Sequence, residues 1–272
     1  MGPDWSLPNE VWRLLLCTPL VCDPPRAGIG LPKYHQSLCH FRILMRKILL
    51  KIRVDEQTPL SWHRSRAFSL FKKSPSLVEI PFDSPRTIHS LDPFGKAYYK
   101  HLWDSSYTPS PHPAEFGYVK ARRRESAIKQ QLINQYRFLT ARISHVAVSH
   151  DMTNAFASTE FHELDSNVDK DARQCDNRLL QQRYRQATMC VEHDDIVIDK
   201  QESNTYAIGS GSLPGDEIAS NLFSRAFREP VVKWINTCNQ PLLTTTCPIT
   251  HQEIDTSKTI YADDLFSMIA TL

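Results

Sequence analysis

Apolar residues recur along the chain with the periods of helices and strands. Between Ser37 and Val54 they fall at helical spacing, with Arg and Lys on the other face, which predicts an amphipathic helix. The same spacing predicts a helix ending near Ala141, one through Leu179, Leu180 and Tyr184, and one starting at Asp216 and running until Pro230. Short apolar runs predict strands at residues 68–71, 143–148 and 196–198.

Two short apolar runs near residue 263 flank a pair of adjacent carboxylates. The stretch from Thr259 to Phe266 therefore predicts a β-hairpin whose turn presents Asp263 and Asp264. Two like charges held together need a counter-charge, and a divalent cation with a preference for oxygen ligands supplies one. An Asp-Asp pair in a turn is also ordinary solvated turn chemistry, so the pair alone does not assign a site.

Two stretches upstream of this hairpin carry further candidate residues. Asp151 follows the predicted strand at 143–148, and a carboxylate at the end of a strand is a usual place for a metal ligand. Phe156 lies five residues later, where a buried core aromatic is the alternative interpretation. Gly211 and Gly215 bracket a tight turn that would let the backbone approach a ligand closely.

Candidate phosphate-binding cations occur in two clusters. Lys72 and Lys73 follow the predicted strand at 68–71, and Arg86 comes thirteen residues after Lys73. A flexible ammonium and a rigid guanidinium suit a polyphosphate, although a solvated surface would also carry them. The second cluster, at the start of a predicted helix, is Arg122, Arg123 and Arg124. Cations there oppose the helix macrodipole, which favours an external anion as their partner.

Composition limits the class of protein without naming it. The 272 residues are 41% hydrophobic and 23% charged, which is typical of a globular chain, and 32 basic against 30 acidic residues give a net charge of only +2. Any basic surface must therefore be local. Seven cysteines without repeating spacing argue against a disulfide framework or a structural zinc site. The apolar run at 11–21 is too short for a bilayer and has no basic segment before it. We therefore expect an intracellular protein, cytoplasmic or nuclear, without membrane association.

The acidic stretches, the Gly-rich turn and the cations occur in an order that resembles the palm and fingers of a reverse transcriptase, closest to the non-LTR retrotransposon type. The resemblance implies metal-binding catalytic residues at Asp151, Asp263 and Asp264. It implies nucleotide-binding roles for Lys72 or Lys73, Arg86, Phe156, Gly211 and Gly215, and template contact by Arg122, Arg123 and Arg124. Phe156 would be the steric gate that excludes the ribose 2′-hydroxyl. Thr87, Ser210 and Pro214 depart from the family pattern, which puts full activity in doubt.

This resemblance implies an α+β fold. Residues 1–142 would form mixed α/β fingers, and residues 143–272 a partial palm, an antiparallel sheet with helices on one face. The implied reaction is RNA-directed DNA synthesis: deoxynucleoside triphosphates are added to a DNA primer 3′-hydroxyl on an RNA template. The implied cofactor is Mg²⁺, as two ions about 4 Å apart, with Mn²⁺ as a possible substitute.

The family continues beyond this hairpin with a primer-gripping strand and a helical thumb, and its elements also carry an endonuclease. We therefore expect the chain to be a fragment, with apolar surface exposed at Phe266, Met268 and Ile269. Two alternatives stay open. The chain could be an inactive relic that at most binds nucleic acid, or an RNA-dependent RNA polymerase, against which Phe156 argues.

Overall fold

The computed structural model describes residues 11, 33–71, 85–107, 111–152, 154–191, 205–237 and 243–271. Helices and strands alternate along the chain, and the strands form antiparallel and mixed sheets, so the predicted α+β class is confirmed. The chain forms two compact units. The first comprises Met1–Ser106, Ala172–Gly209 and Leu213–Glu217, and the second comprises Tyr107–Asp171, Ser210–Ser212 and Ile218–Leu272.

The first unit is built around a mixed four-stranded sheet. Its helices are α1 (Lys33–Asp55), α2 (Leu60–His63), α3 (Pro93–Ser106) and α7 (Gln174–Arg185), and its strands are β1 (Arg64–Phe71), β2 (Pro85–Leu91), β4 (Thr188–Val191) and β5 (Thr205–Ala207). The strand order is β2-β1-β4-β5, with β1 antiparallel to β2 and parallel to β4. The apolar repeats that predicted α1 and α7 lie in these two helices. Their apolar residues face the interior: Leu38 and Ile52 of α1 and Leu179 and Leu180 of α7 are buried.

A buried ion pair stabilises the interior of this unit. Arg183 and Asp216 have side chains 2% and 5% exposed, and the Arg183 Nε donates to Asp216 Oδ2 at 2.5 Å. The guanidinium also donates to the Trp62 carbonyl oxygen and lies 4.9 Å from the Tyr99 ring centroid. Asp216 therefore belongs to a buried network that joins α7 to the Gly-rich turn, and it does not begin a helix as the sequence predicted.

The second unit carries the carboxylate hairpin. Its helices are α4 (Arg124–Ala141), α5 (Ala155–Ser158), α6 (Phe161–Asp171) and α8 (Ala219–Thr237), and its strands are β3 (His145–Asp151), β6 (Thr244–Thr246), β7 (Glu253–Asp255), β8 (Lys258–Tyr261) and β9 (Asp264–Ala270). One antiparallel sheet has the order β3-β9-β8, and β6 pairs with β7 in a second. The predicted hairpin at 259–266 is confirmed, since β8 pairs with β9 across residues 262–263.

Helix α8 differs from its prediction at both ends. It begins at Ala219 rather than Asp216 and continues through Pro230 to Thr237. A proline inside a helix removes one backbone hydrogen bond, at a cost of about 3 kcal/mol. Beyond the proline, Val231 is buried in a cluster that also contains Ile260 and Leu265 of the hairpin. The burial of apolar surface in this last part of α8 offsets the lost hydrogen bond.

The predicted apolar surface on β9 is wrong in part. Met268 is only 5% exposed, and Phe266 and Ile269 are half-buried. Large apolar side chains are instead exposed on the outer face of α4 and at β3: Ile128, Leu132, Tyr136, Leu139 and Val146.

The predicted division into 1–142 and 143–272 is continuous along the chain, whereas the two compact units are interleaved. The described residues of 107–142 belong to the unit with the carboxylate hairpin, and those of 172–209 belong to the unit with the four-stranded sheet. The predicted strand at 196–198 lies outside the described residues. Within the described part of the chain, no helix has the length and apolar character needed to cross a membrane.

Candidate active site

The strand register brings two of the three predicted carboxylates face to face. Asp151, the last residue of β3, is the direct cross-strand partner of Asp264, the first residue of β9. Residues directly opposite each other in an antiparallel pair have Cβ atoms roughly 5 Å apart. Asp263 lies in the adjoining turn, one residue before Asp264. Asp151 and Asp264 are exposed and Asp263 is half-buried, so the carboxylates face solvent.

These three carboxylates affect one another electrostatically. The pKa of Asp264 is raised, first by partial burial and then by the negative charges of Asp263 and Asp151. The positive charge of Arg124 opposes this rise. The neighbouring negative charges therefore disfavour ionisation of Asp264, and a bound cation would relieve the repulsion.

The donor set suits a hard divalent cation. Among the described residues, no group of three or more His, Cys, Asp or Glu side chains is already arranged to hold a metal ion. Mg²⁺, however, usually binds through one or two carboxylates together with substrate phosphates rather than in an all-protein cage. The facing Asp151 and Asp264 carboxylates fit that requirement. Asp263 is near enough to influence Asp264, but the three-ligand set that the sequence predicted is not preformed.

Phe156 lies on α5, and its ring contacts two other aromatic rings. The ring centroid of Phe223, which is buried in α8, lies 5.2 Å from that of Phe156. The Tyr118 ring meets Phe156 edge-on at a centroid distance of 6.3 Å. Phe156 itself is half-buried, so part of its ring is accessible to a ligand, as the steric-gate hypothesis requires.

Gly211 holds the backbone of α5 in place. Its φ is +73°, and a β-carbon placed on it would lie 2.1 Å from the Phe156 carbonyl oxygen. The Gly211 N–H donates to the Thr159 carbonyl at 2.7 Å, and the Ser212 N–H donates to the Phe156 carbonyl at 3.0 Å. The Ser210 hydroxyl donates to the Ala157 carbonyl at 2.7 Å.

Gly215 makes a similar close approach within the first unit. Its φ is +100°, and an added β-carbon would lie 2.8 Å from the His89 carbonyl oxygen. The sequence analysis predicted that Gly211 and Gly215 bring the backbone close to a bound nucleotide. Both glycines lie against the protein's own backbone, which fixes the position of the turn, and their contact with a nucleotide remains a prediction.

The segment from Ala114 to Gly117 packs directly on the carboxylate hairpin. The Phe116 N–H donates to the Ile260 carbonyl at 2.8 Å, and the Ile260 N–H donates to the Ala114 carbonyl at 2.8 Å. A β-carbon on Gly117 would lie 2.0 Å from the Ala262 backbone nitrogen, next to Asp263. Only glycine fits there. The contact between Gly117 and Ala262 joins residues far apart in the chain, so no local pattern in the sequence predicts it.

An ion pair lies beside this segment. Glu115, with its side chain 4% exposed, accepts from Arg228 Nη2 of α8 at 2.6 Å. Both residues line a small pocket together with Gly117, Phe227 and Ala262, and its cavity volume is only about 10 Å³. The pocket is too small for a nucleotide, so we assign Glu115 and Arg228 to the support of the hairpin.

The three arginines predicted to contact the template differ in their surroundings. Arg122 Nη1 donates to the carbonyl oxygens of His112, Pro113 and Glu115 at 2.8, 3.0 and 2.5 Å, so this end of its guanidinium is held within the loop. This bonding gives Arg122 a structural role that the sequence did not indicate. Arg123 and Arg124 are exposed at the start of α4.

The predicted triphosphate-binding cations belong to the first unit. Arg86 lies on β2, and its backbone pairs with Leu70 of β1 next to the Phe71–Pro85 pair that ends the ladder. Lys72 and Lys73 lie outside the described residues. Their proposed role remains a prediction.

The chain matches no protein-family model and no curated protein. Among solved structures it is similar to telomerase from Candida tropicalis. The match to the apo enzyme truncated from its C-terminal domain has a TM-score of 0.46 and 9% identity, and covers 79% of this chain and 45% of that one. For the apo enzyme and for its complex with a fragment of telomeric RNA the TM-scores are 0.47 and 0.45, each at 8% identity. Both again cover 79% of this chain, and 40% and 37% of theirs, so the chain spans less than half of their length.

Proposed function

We propose that the chain carries the nucleotidyl-transfer site of an RNA-directed DNA polymerase of the retrotransposon type. The reaction is the addition of a deoxynucleotide to a primer 3′-hydroxyl on an RNA template. The observation that supports this most directly is the cross-strand pairing of Asp151 with Asp264, beside Asp263 in the turn. The sequence order of these carboxylates, the Phe156 stretch and the Gly-rich turn resembles the same class of enzyme.

In this proposal, Asp151, Asp263 and Asp264 would hold Mg²⁺ together with the triphosphate of the incoming nucleotide. Bound Mg²⁺ would lower the pKa of the primer hydroxyl and neutralise charge on the leaving pyrophosphate. Because carboxylates and phosphate are both anionic, Asp151 and Asp264 would position the α-phosphate only through the cation that they hold, which would reduce the entropic cost of bringing the two reactants together.

Phe156 would select the sugar. Its half-buried ring, supported by Phe223, is rigid enough to fill the space that a ribose 2′-hydroxyl requires. This is the basis for preferring deoxyribonucleotides, and it argues against the alternative of an RNA-dependent RNA polymerase. Arg123 and Arg124 are exposed near the hairpin and would supply non-specific, salt-sensitive contacts to a nucleic-acid backbone.

Primer extension tests this proposal. The purified chain is incubated with a poly-ribonucleotide template, a DNA primer, deoxynucleotides and Mg²⁺, and compared with Asp263→Ala and Asp151→Asn. Both variants should lose extension while keeping the circular-dichroism spectrum of the wild type. Glu253→Gln is the matched control, because it removes an exposed carboxylate of the same unit from the other sheet. Extension that survives in Asp263→Ala and Asp151→Asn would refute the site.

A further inference from the structure

Tyr118 occupies a strained position beside the candidate site. Its φ is +57°, a left-handed conformation that is uncommon for an aromatic residue and costs on the order of 1 kcal/mol or more. The preceding segment maintains this conformation, because Phe116 is hydrogen-bonded to Ile260 and Gly117 lies against Ala262. The backbone at Tyr118 is therefore fixed by the hairpin that carries Asp263 and Asp264.

The side chain of Tyr118 is close both to Phe156 and to Asp263. Its ring meets Phe156 edge-on at a centroid distance of 6.3 Å and an interplanar angle of 69°. Burial raises the pKa of the Tyr118 phenol, and the charge of Asp263 raises it further, which shows that the ring is within electrostatic range of that carboxylate. Tyr118 is nevertheless 48% exposed, so much of its ring is open to a ligand.

The two aromatic rings that contact Phe156 differ in burial. Phe223 is 2% exposed and itself stacks on Phe227. Tyr118, in contrast, is half-exposed. Removal of the Tyr118 ring would take away one of these two aromatic contacts.

We propose that Tyr118 and Phe156 form two aromatic walls around the sugar of the incoming nucleoside triphosphate, and that Tyr118 is a specificity-determining residue for deoxyribose. This inference rests on the proposed nucleotidyl-transfer function. A nucleotide whose phosphates lie at the carboxylates and whose sugar reaches Phe156 must pass along the exposed face of Tyr118. The ring, rather than the hydroxyl, provides the wall.

The experiment measures nucleotide binding without chemistry. The chain is assembled on an RNA template with a primer that ends in a dideoxynucleotide, and the dissociation constants of the next complementary deoxy- and ribonucleoside triphosphates are measured in Mg²⁺. The wild type should favour the deoxynucleotide. Tyr118→Ala should reduce that preference by about threefold to tenfold, as expected for the loss of one aromatic contact. Tyr118→Phe should retain it, and so should Tyr136→Ala, which removes a more exposed tyrosine of the same unit.

Equal weakening of both nucleotides by Tyr118→Ala, an unchanged ratio, or a wild-type complex that retains no nucleotide would each overturn the inference. Extension of an ordinary primer is measured in parallel. A wild-type chain that binds nucleotide with the expected dependence on Tyr118 but does not extend the primer would contradict the polymerase activity and support the role of Tyr118. The two failures are therefore distinguishable.

Discussion

Replacement of Gly117 by alanine should destabilise the carboxylate hairpin through a backbone clash. A β-carbon at this position lies 2.0 Å from the Ala262 nitrogen and 2.9 Å from both the Ala262 Cα and the Tyr261 carbonyl carbon. All three are backbone atoms, so no side-chain rotation can relieve the overlap. Residue 117 and the turn before Asp263 must move apart by at least about 1.4 Å to reach an ordinary contact distance of 3.4 Å.

The expected loss of stability follows from the contacts that such a movement breaks. Forcing an extra methyl group into a packed site costs about 1–3 kcal/mol. Separation of the two segments also lengthens the hydrogen bond from the Phe116 N–H to the Ile260 carbonyl, which contributes about 0.5–1.5 kcal/mol. Together these give a decrease of about 2–4 kcal/mol in the free energy of unfolding, a large part of the stability of an ordinary domain.

Urea unfolding followed by circular dichroism measures this difference, and Gly209→Ala is the matched control. A β-carbon on Gly209 meets nothing within 4 Å, so that substitution should be neutral or slightly stabilising. Asp263-dependent primer extension should fall in Gly117→Ala even at temperatures where the variant is folded, because the turn is displaced. A Gly117→Ala chain as stable as Gly209→Ala, with unchanged extension, would refute the packing argument.

Three further predictions concern stability. Burial, followed by the charge of Arg183, lowers the pKa of His63 to about 4 from 6.5. Between pH 4 and 6.5 the unfolded chain therefore binds more protons at His63 than the folded chain does. The free energy of unfolding should fall by about 3 kcal/mol as the pH decreases from 6.5 to 4. Urea unfolding at several pH values should show that His63→Gln lacks this part of the decrease. Arg183→Met should lower the free energy of unfolding by about 3–5 kcal/mol in the same assay, because it leaves Asp216 buried without its partner. The double variant with Asp216→Leu should regain much of this stability. A double variant no more stable than Arg183→Met would contradict the ion-pair argument. Leu132 and Leu139 are exposed on the outer face of α4, so replacing both with glutamine should change the free energy of unfolding by less than about 0.5 kcal/mol and raise the solubility limit. A large loss of stability would instead show that this face of α4 is packed.

Local patterns in the sequence were sufficient for the main elements of the site. The apolar runs around Asp263 and Asp264 have the alternation of a hairpin, and the structure contains that hairpin. The end of α4 at Ala141 and the course of α7 through Tyr184 also agree with the predicted helices. Such elements are determined by residues close together in the chain, so their period is visible without tertiary information.

The features that the sequence could not provide depend on long-range packing. Nothing near Gly117 in the sequence indicates that it lies against Ala262. The local sequence around Asp216 is typical of a helix start, whereas its actual role, the ion pair with Arg183, depends on a residue 33 positions away. The local propensity of Pro230 to end a helix was overridden by the burial of Val231. The register that sets Asp151 opposite Asp264 is likewise a tertiary fact, which the sequence suggested only through a family resemblance.

The most direct test of the central claim is the number of Mn²⁺ ions bound by the complex with template, dideoxy-terminated primer and deoxynucleotide, measured by electron paramagnetic resonance. Mn²⁺ replaces Mg²⁺ at oxygen-ligand sites and is visible in the spectrum. The wild type and Glu253→Gln should bind Mn²⁺ tightly in this complex, and both Asp151→Asn and Asp264→Asn should lose that binding. Unchanged binding in those two variants would contradict the assignment of the facing carboxylates as the metal site.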